Sequence, residues 1–216
     1  MPTRGEIAAN FDAIADEFDA ARPRPWRETI AFERELPPRS RVLDLGCGSG
    51  RNVAFLAERG HPIAGLDASA QLLKLAAAKV GRSALVRADA VALPFSAATF
   101  DAVHCVATLH HLPSETERRQ VVREIVRVLR PGGPVLLSVW ALEQERFQST
   151  VGEHVRKGDA AVADVSVPWR RSDGRVVPRF YHLFHEGELE GLMPGALAVV
   201  RAWREGDNHV LLAAKR

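Results

Sequence analysis

The chain has 216 residues and a mass of 23.7 kDa, with 46% hydrophobic and 26% charged residues, a balance that suits one globular domain able to bury its own core. A formal charge of +2 is too small to announce a nucleic-acid binder, although 25 of the 29 basic residues are arginine, which fits either an anionic partner or plain arginine-rich codon usage. No run of 18 apolar residues occurs, so no membrane-spanning helix is expected, and Cys47 and Cys105, without a C-x-x-C pair, exclude a disulfide framework and a zinc ribbon.

The first 18 residues carry acids throughout and lack a secretory h-region, so a cytoplasmic protein is expected. Ile7, Phe11, Ile14 and Phe18 recur at helical spacing, Pro23 and Pro25 interrupt, and a second helix is predicted over 27–35, making residues 1–36 a helical cap. RVLDL (41–45) then reads as a strand, followed by a glycine-rich turn and the helix RNVAFLAERG. PIAGLD (62–67), ALVRAD (84–89), FDAVHCVAT (100–108) and PVLLSVW (134–140) are further strands, with helices predicted over QLLKLAAAKVG and over about 115–129. Strand and helix alternating at this spacing mean a parallel sheet covered on both faces. After Trp140 the rhythm breaks. Residues 141–185 hold few apolar runs but an aromatic cluster (Phe147, Trp169, Phe180, Tyr181, Phe184), the expected insertion or lid at the sheet's carboxyl edge. Two strands joined by Glu-Gly-Asp-Asn close the chain.

The strongest chemical signal is VLDLGCGSGRN (42–52), a strand ending near Asp44, then Gly46, Gly48 and Gly50, then a helix. Glycines there admit a ligand to the backbone, and a helix start offers free N–H groups. The spacing is not that of the dinucleotide fingerprint, and no Lys-Ser/Thr follows as in a P-loop. Asp44 would repel a pyrophosphate but suits a cation, so S-adenosylmethionine, with its ammonium and sulfonium, fits. Asp67 ends the second strand, where a carboxylate can take both ribose hydroxyls, and Asp89 ends the third, placed for an adenine amino group. The pattern over about 39–139 resembles the class I S-adenosylmethionine-dependent methyltransferases. That resemblance implies a Rossmann-like α/β fold with a seven-stranded, mostly parallel sheet in the order 3-2-1-4-5-7-6, strand 7 antiparallel, and Ala90 and Val106 beside the cofactor.

A narrower resemblance rests on FDAIADEFDAARPRPW (11–26), LHHL (109–112), ERRQ (117–120), VWALEQE (139–145), VPW (167–169), RFYHLFHEGELEGL (179–192) and DNH (207–209). Together these segments are similar to the methyltransferases that esterify 5-carboxymethyluridine at the wobble position of tRNA. His209 departs from the family, where Trp follows the Asn, and so does Phe11, where Tyr is common. The resemblance implies a tRNA anticodon loop as substrate, Asn208 near the site, and a small zinc-binding activator protein; strand three (84–88), an edge strand in the expected order with unpaired backbone, is where that protein is expected to dock.

A carboxylate acceptor is ionised at neutral pH and needs alignment rather than a general base. Trp140, Trp169 and Tyr181 can wall such a site, although simple core packing also explains each of them, and Arg179 or Arg22 can anchor the acidic nucleoside. The pair His110-His111 follows the fourth strand, so one ring is expected to face the pocket and the other to pack. No metal site is expected. His61, His104, His154 and His185 read as structural or surface residues, Cys47 as a filler and Cys105 as core. For Arg118 to Arg130 the expected state is a solvated helix face, with a tRNA footprint near Arg118-Arg119 as the other reading. A small-molecule methyltransferase is the competing function, and a catalytically silent binding module is disfavoured by the intact glycines and acids.

Overall fold

The structure, a computed structural model, describes residues 1–145 and 163–216. Phe147 and His154 lie outside the described residues. Helices α1 (Arg4–Ala20) and α2 (Arg27–Glu35) precede the sheet. Strands β1 (Val42–Leu45), β2 (Ile63–Asp67), β3 (Leu85–Arg87), β4 (Ala102–Val106) and β5 (Pro134–Trp140) alternate with α3 (Arg51–Glu58), α4 (Ala70–Val80) and α5 (Glu115–Val128). A hairpin of β6 (Asp164–Arg170) and β7 (Val176–His182), a short α6 (Glu188–Gly191), and the pair β8 (Leu197–Glu205) and β9 (Asn208–Lys215) complete the order.

Seven strands form one sheet in the order β3-β2-β1-β4-β5-β9-β8. The first five are parallel, and β9 runs antiparallel to β5, pairing Trp140 with Asn208. This is the expected topology, with β3 on one edge. Strands β1 and β4 are buried along their whole length, so their residues are apolar on both faces except for Asp44 and His104. One face packs Leu43, Val103, Leu137 and Leu211 against Val121, Ile125 and Val128 of α5, and the other packs Val42, Ala102, Leu136 and Leu212 against Phe32 and Leu56. Thr3 with Glu6, and Ser114 with Glu117, make capping boxes that fix the starts of α1 and α5, each N-cap worth about 1 kcal/mol.

The aromatic segment after Trp140 contains a two-stranded antiparallel sheet with Pro168 opposite Pro178. Asp173-Gly174, with Gly174 at φ +84°, turns the hairpin. Helix α1 lies between this hairpin and α4, so that Ile7, Phe11, Ile14, Leu72 and Phe180 share one apolar cluster. Polar contacts reinforce it. Glu17 accepts from Trp169 Nε1 (2.9 Å) and from Ser172 N (3.0 Å) and Oγ (2.8 Å), while Asp12 accepts from Gln71 N (2.9 Å).

Arg118 corrects the expectation of a solvated face: it is buried, donating from Nη1 to the Leu112 carbonyl at 2.8 Å. Its neighbours Arg119 and Arg127 pair with Glu115 and Glu124 on the same helix. Among the described residues no helix is long and apolar enough to cross a membrane.

Candidate active site

Gly46, Gly48 and Gly50 all have positive φ (78°, 54° and 82°), the backbone region that glycine adopts without strain. The chain doubles back after β1, and the N–H groups of Gly46 and Cys47 both donate to the Leu66 carbonyl, at 2.8 and 2.9 Å. A Cβ on Gly46 would overlap the Thr108 side chain, and one on Gly50 would press on Ala76. A Cβ on Gly48 would meet nothing within 4 Å.

That open space belongs to a cavity of about 540 Å³ lined by Gly46, Gly48, Asp67, Asp89, Ala90 and Leu112, with α1 contributing Ile7 and Phe11. The size suits a nucleoside-bearing ligand. Asp67 accepts from Gly48 N through Oδ2 and from Ser69 N through Oδ1, both at 2.8 Å. Burial raises its pKa, and those N–H groups oppose the shift. Asp89 lines the same cavity and is bridged to α1, accepting from Arg4 Nε at 2.7 Å; Arg4 also pairs with Glu117. Gly50 lines neither this cavity nor the smaller one described below; its lack of a side chain serves the close approach of α3 to α4.

Asp44 is placed differently from the expectation. It lines neither cavity; its Oδ1 accepts from His104 Nδ1 at 2.7 Å, with both residues buried. The other His104 nitrogen meets Thr29 Oγ1 at 2.8 Å, and Thr29 donates to Asn52 Oδ1 at 3.4 Å. A buried polar chain therefore runs from β1 through β4 to α2 and α3. Oδ2 of Asp44 is buried without a hydrogen-bond partner. The open cradle at Gly48 and the cavity lined by Asp67 and Asp89 fit a ligand carrying a nucleoside end and a cationic end.

A smaller cavity of about 80 Å³ adjoins the first, sharing Phe18, Gly46, Gly48, Ala107 and His111 with it. It adds Arg22, Arg51, Val106, His110, Trp140 and Tyr181. Trp140 and Tyr181 stack in parallel, ring centroids 3.9 Å apart and planes 6° apart. Both histidines lie against Tyr181, at 5.0 and 4.6 Å, and 4.4 Å from each other.

The histidines take opposite tautomers. His110 Nδ1 accepts from Trp140 N (2.9 Å), whereas His111 Nδ1 donates to the Phe180 carbonyl (3.0 Å). Burial drives both pKa values down, His110 well below its ordinary value and His111 to about 4. The like charge of Arg179 works in the same direction on each. Both rings are neutral at neutral pH. The expectation that one ring faces the pocket and the other packs is not met, since both line the smaller cavity.

Arg179 lines neither cavity; it donates to Tyr181 Oη at 2.8 Å and lies over Trp169, 5.0 Å from the ring centroid. Trp169 is held by Glu17 behind the same wall, and Asn208 is buried opposite Trp140 without reaching either lining. Cys47 and Cys105 are buried with raised thiol pKa values, as fillers should be. Sequence reasoning missed Arg51, whose place at the first position of a helix looks like ordinary solvation. It also missed the link between His104 and Asp44, which no local spacing encodes. Among the described residues no group of three or more His, Cys, Asp or Glu is placed to hold a metal ion.

A family model described as a methyltransferase domain matches residues 43–137. A chain of Encephalitozoon cuniculi assigned as a methyltransferase is 36% identical, the match covering 85% of this chain and 80% of that one. The tRNA (carboxymethyluridine(34)-5-O)-methyltransferase of Schizosaccharomyces pombe is 29% identical, over 95% of this chain and 94% of its own length. The solved structure of a SAM-dependent methyltransferase from Methanosarcina mazei shares the fold, with a TM-score of 0.71 and 22% identity over 89% of this chain and 98% of that one. The chain spans 32% and 43% of the length of two longer curated relatives. The chain belongs to the methyltransferase family.

Proposed function

We propose that the protein transfers the methyl group of S-adenosylmethionine to the carboxylate of 5-carboxymethyluridine at the wobble position of tRNA, forming a methyl ester. The observation that carries this reading is the state of the two histidines. Both are neutral, each is committed at Nδ1, and His111, with a pKa near 4, is a poor proton acceptor at neutral pH. A nucleophile that must lose a proton as it attacks is badly served here. One that arrives already ionised needs only to be aligned. The fission-yeast relative, which this chain matches nearly end to end, is named for the same acceptor and supports it.

When bound, the cofactor supplies an electrophilic methyl group on a sulfonium. Asp67 would hold the ribose hydroxyls, the Gly46–Gly48 backbone would take the amino-acid end, and Ala90 and Asp89 would take the adenine. Arg4 must share or release Asp89 for that contact to form. The Trp140–Tyr181 stack, with His110 and His111, excludes water and orients the acceptor. That exclusion favours a transition state in which two opposite charges are being annihilated. Arg179 and Trp169 hold the wall through Tyr181 and Glu17, and Arg22 faces the acceptor. The β6–β7 hairpin serves as the lid on this side. A small zinc-binding activator docks on the β3 edge, where unpaired backbone groups can take another strand. The setting is the cytoplasm.

The test supplies tRNA bearing 5-carboxymethyluridine and methyl-labelled cofactor, then mild alkali. Label released as methanol is expected. Alkali-stable label, or no transfer to this tRNA with or without an added activator, refutes the assignment.

A further inference from the structure

The last residue of β7 is a histidine that the site description leaves without a task. His182 is buried and stands in register opposite Asp164, the first residue of β6. Its Nδ1 lies 2.7 Å from Asp164 Oδ1, and its Nε2 lies 2.6 Å from Oε1 of Glu188, the first residue of α6. An ionised carboxylate can only accept, and a neutral imidazole has one donor. Two such bonds therefore need one proton more than a neutral ring and two carboxylates supply. Charge places that proton on the ring. Burial works against the ionised form of Glu188, but the bond from His182, and behind it the His185 N–H and Arg118, outweigh burial and hold the carboxyl below its usual range. On the facing side of α5, burial lowers the Arg118 pKa while Glu188 and Asp164 oppose the shift. Two acids and two cations, Arg118 and an imidazolium, give the cluster a net charge of zero. His182 also stands where the aromatic wall is fixed. One residue earlier, Tyr181 stacks on Trp140. One residue later, Leu183 N donates to the Ala163 carbonyl at 2.6 Å, and next Phe184 N donates to the Trp140 carbonyl at 2.9 Å. The Phe184 ring, part of the main core, meets the His182 ring edge-on at 4.9 Å.

We infer that His182 is a positioning residue: an imidazolium donating to Asp164 and Glu188 at once, it clasps the end of the hairpin to α6 and so holds Tyr181 against Trp140. Charge-assisted bonds on both sides of one planar ring fix the backbone beside Tyr181 in place. That the wall orients a methyl acceptor rests on the methyl-transfer reading above; the clasp itself does not.

Tyr181 is the one tyrosine of the chain, so NMR of protein carrying labelled tyrosine reports on this ring alone, with neither cofactor nor acceptor present. In wild type at neutral pH its ring signals should be displaced by the Trp140 face, and nitrogen spectra of His182 should show a proton on both ring nitrogens. H182Q offers one donor end and one acceptor end, which cannot serve two carboxylates. Its Tyr181 signals should move back toward those of free tyrosine, and kcat on 5-carboxymethyluridine tRNA should fall about tenfold with KM for the cofactor unchanged. In E188Q the new amide can donate to a neutral ring, so both bonds persist without the extra proton. That variant should keep the Tyr181 signals and the turnover of wild type, with one His182 nitrogen now bare. A bare nitrogen in wild-type His182 overturns the inference, as do Tyr181 signals or turnover unmoved in H182Q, a cofactor KM raised as much as kcat falls, or the same losses in E188Q as in H182Q. If H182Q does not fold, the spectra of wild type and E188Q decide. Wild type inactive on this tRNA refutes the methyl-transfer reading, while the Tyr181 and His182 spectra still decide the clasp.

Discussion

Replacing His111 with Asn tests whether the aromatic wall is held by uncharged imidazoles. Asn keeps a nitrogen donor near the position of Nδ1, so the bond to the Phe180 carbonyl can persist, but it cannot titrate. The native pKa of His111 is about 4, against about 6.5 for an unfolded histidine. A depressed imidazole pKa means that the unfolded chain takes the proton first. The stabilising contribution is therefore complete above about pH 6.5 and is lost as pH falls toward 4. Between about pH 7 and pH 5 the unfolded histidine protonates almost fully and the native one only to about a tenth, which costs about 2 kcal/mol of stability. His110 titrates in the same direction and remains in the variant, so the comparison isolates one ring. Urea unfolding at the two pH values should show wild type losing about 2 kcal/mol more than His111→Asn. Equal losses in the two proteins would mean that His111 is not a buried neutral group, and the argument for a pre-ionised acceptor would fall with it.

His104→Leu should destabilise the fold by about 3–5 kcal/mol, because it leaves the Asp44 carboxylate buried without its one partner; chemical denaturation reads this directly. Gly46→Ala should cost about 2 kcal/mol or more through its positive φ and the overlap with Thr108, again by denaturation, whereas Gly48→Ala, strained by its positive φ but free of neighbours, should cost less stability than Gly46→Ala and should also weaken cofactor binding. Asp67→Ala should weaken S-adenosylhomocysteine by about 1.5–3 kcal/mol in calorimetry, with the folded state retained.

The parallel strands and the glycine loop were legible because each is a local pattern: apolar runs bounded by turns, and glycines at the positions with positive φ. The hairpin of β6 and β7 was not, since Pro168 and Pro178 demote both runs as strands. The Asp173-Gly174 turn signal was present and could have located it. Within the site, the strand-end acids Asp67 and Asp89 and the His110–His111 pair could be chosen from sequence because strand ends converge at one sheet edge. Partnerships could not. His104 with Asp44 depends on the register of two neighbouring strands, Arg4 with Asp89 on where α1 docks, and Arg179 with Tyr181, two residues apart on β7, on a strand that its proline disguises. Asp44 shows the consequence: its place beside the glycines suggested direct contact with the ligand, yet its carboxylate is committed to a histidine one strand away.

Helix α1 touches both halves of the site, and this couples them mechanically. One flank covers the larger cavity with Ile7 and Phe11 and reaches Asp89 through Arg4; further along, Glu17 makes three hydrogen bonds to the hairpin. Any displacement of α1 that widened the larger cavity would have to stretch those three bonds, so the helix ties the two cavities to one rigid support.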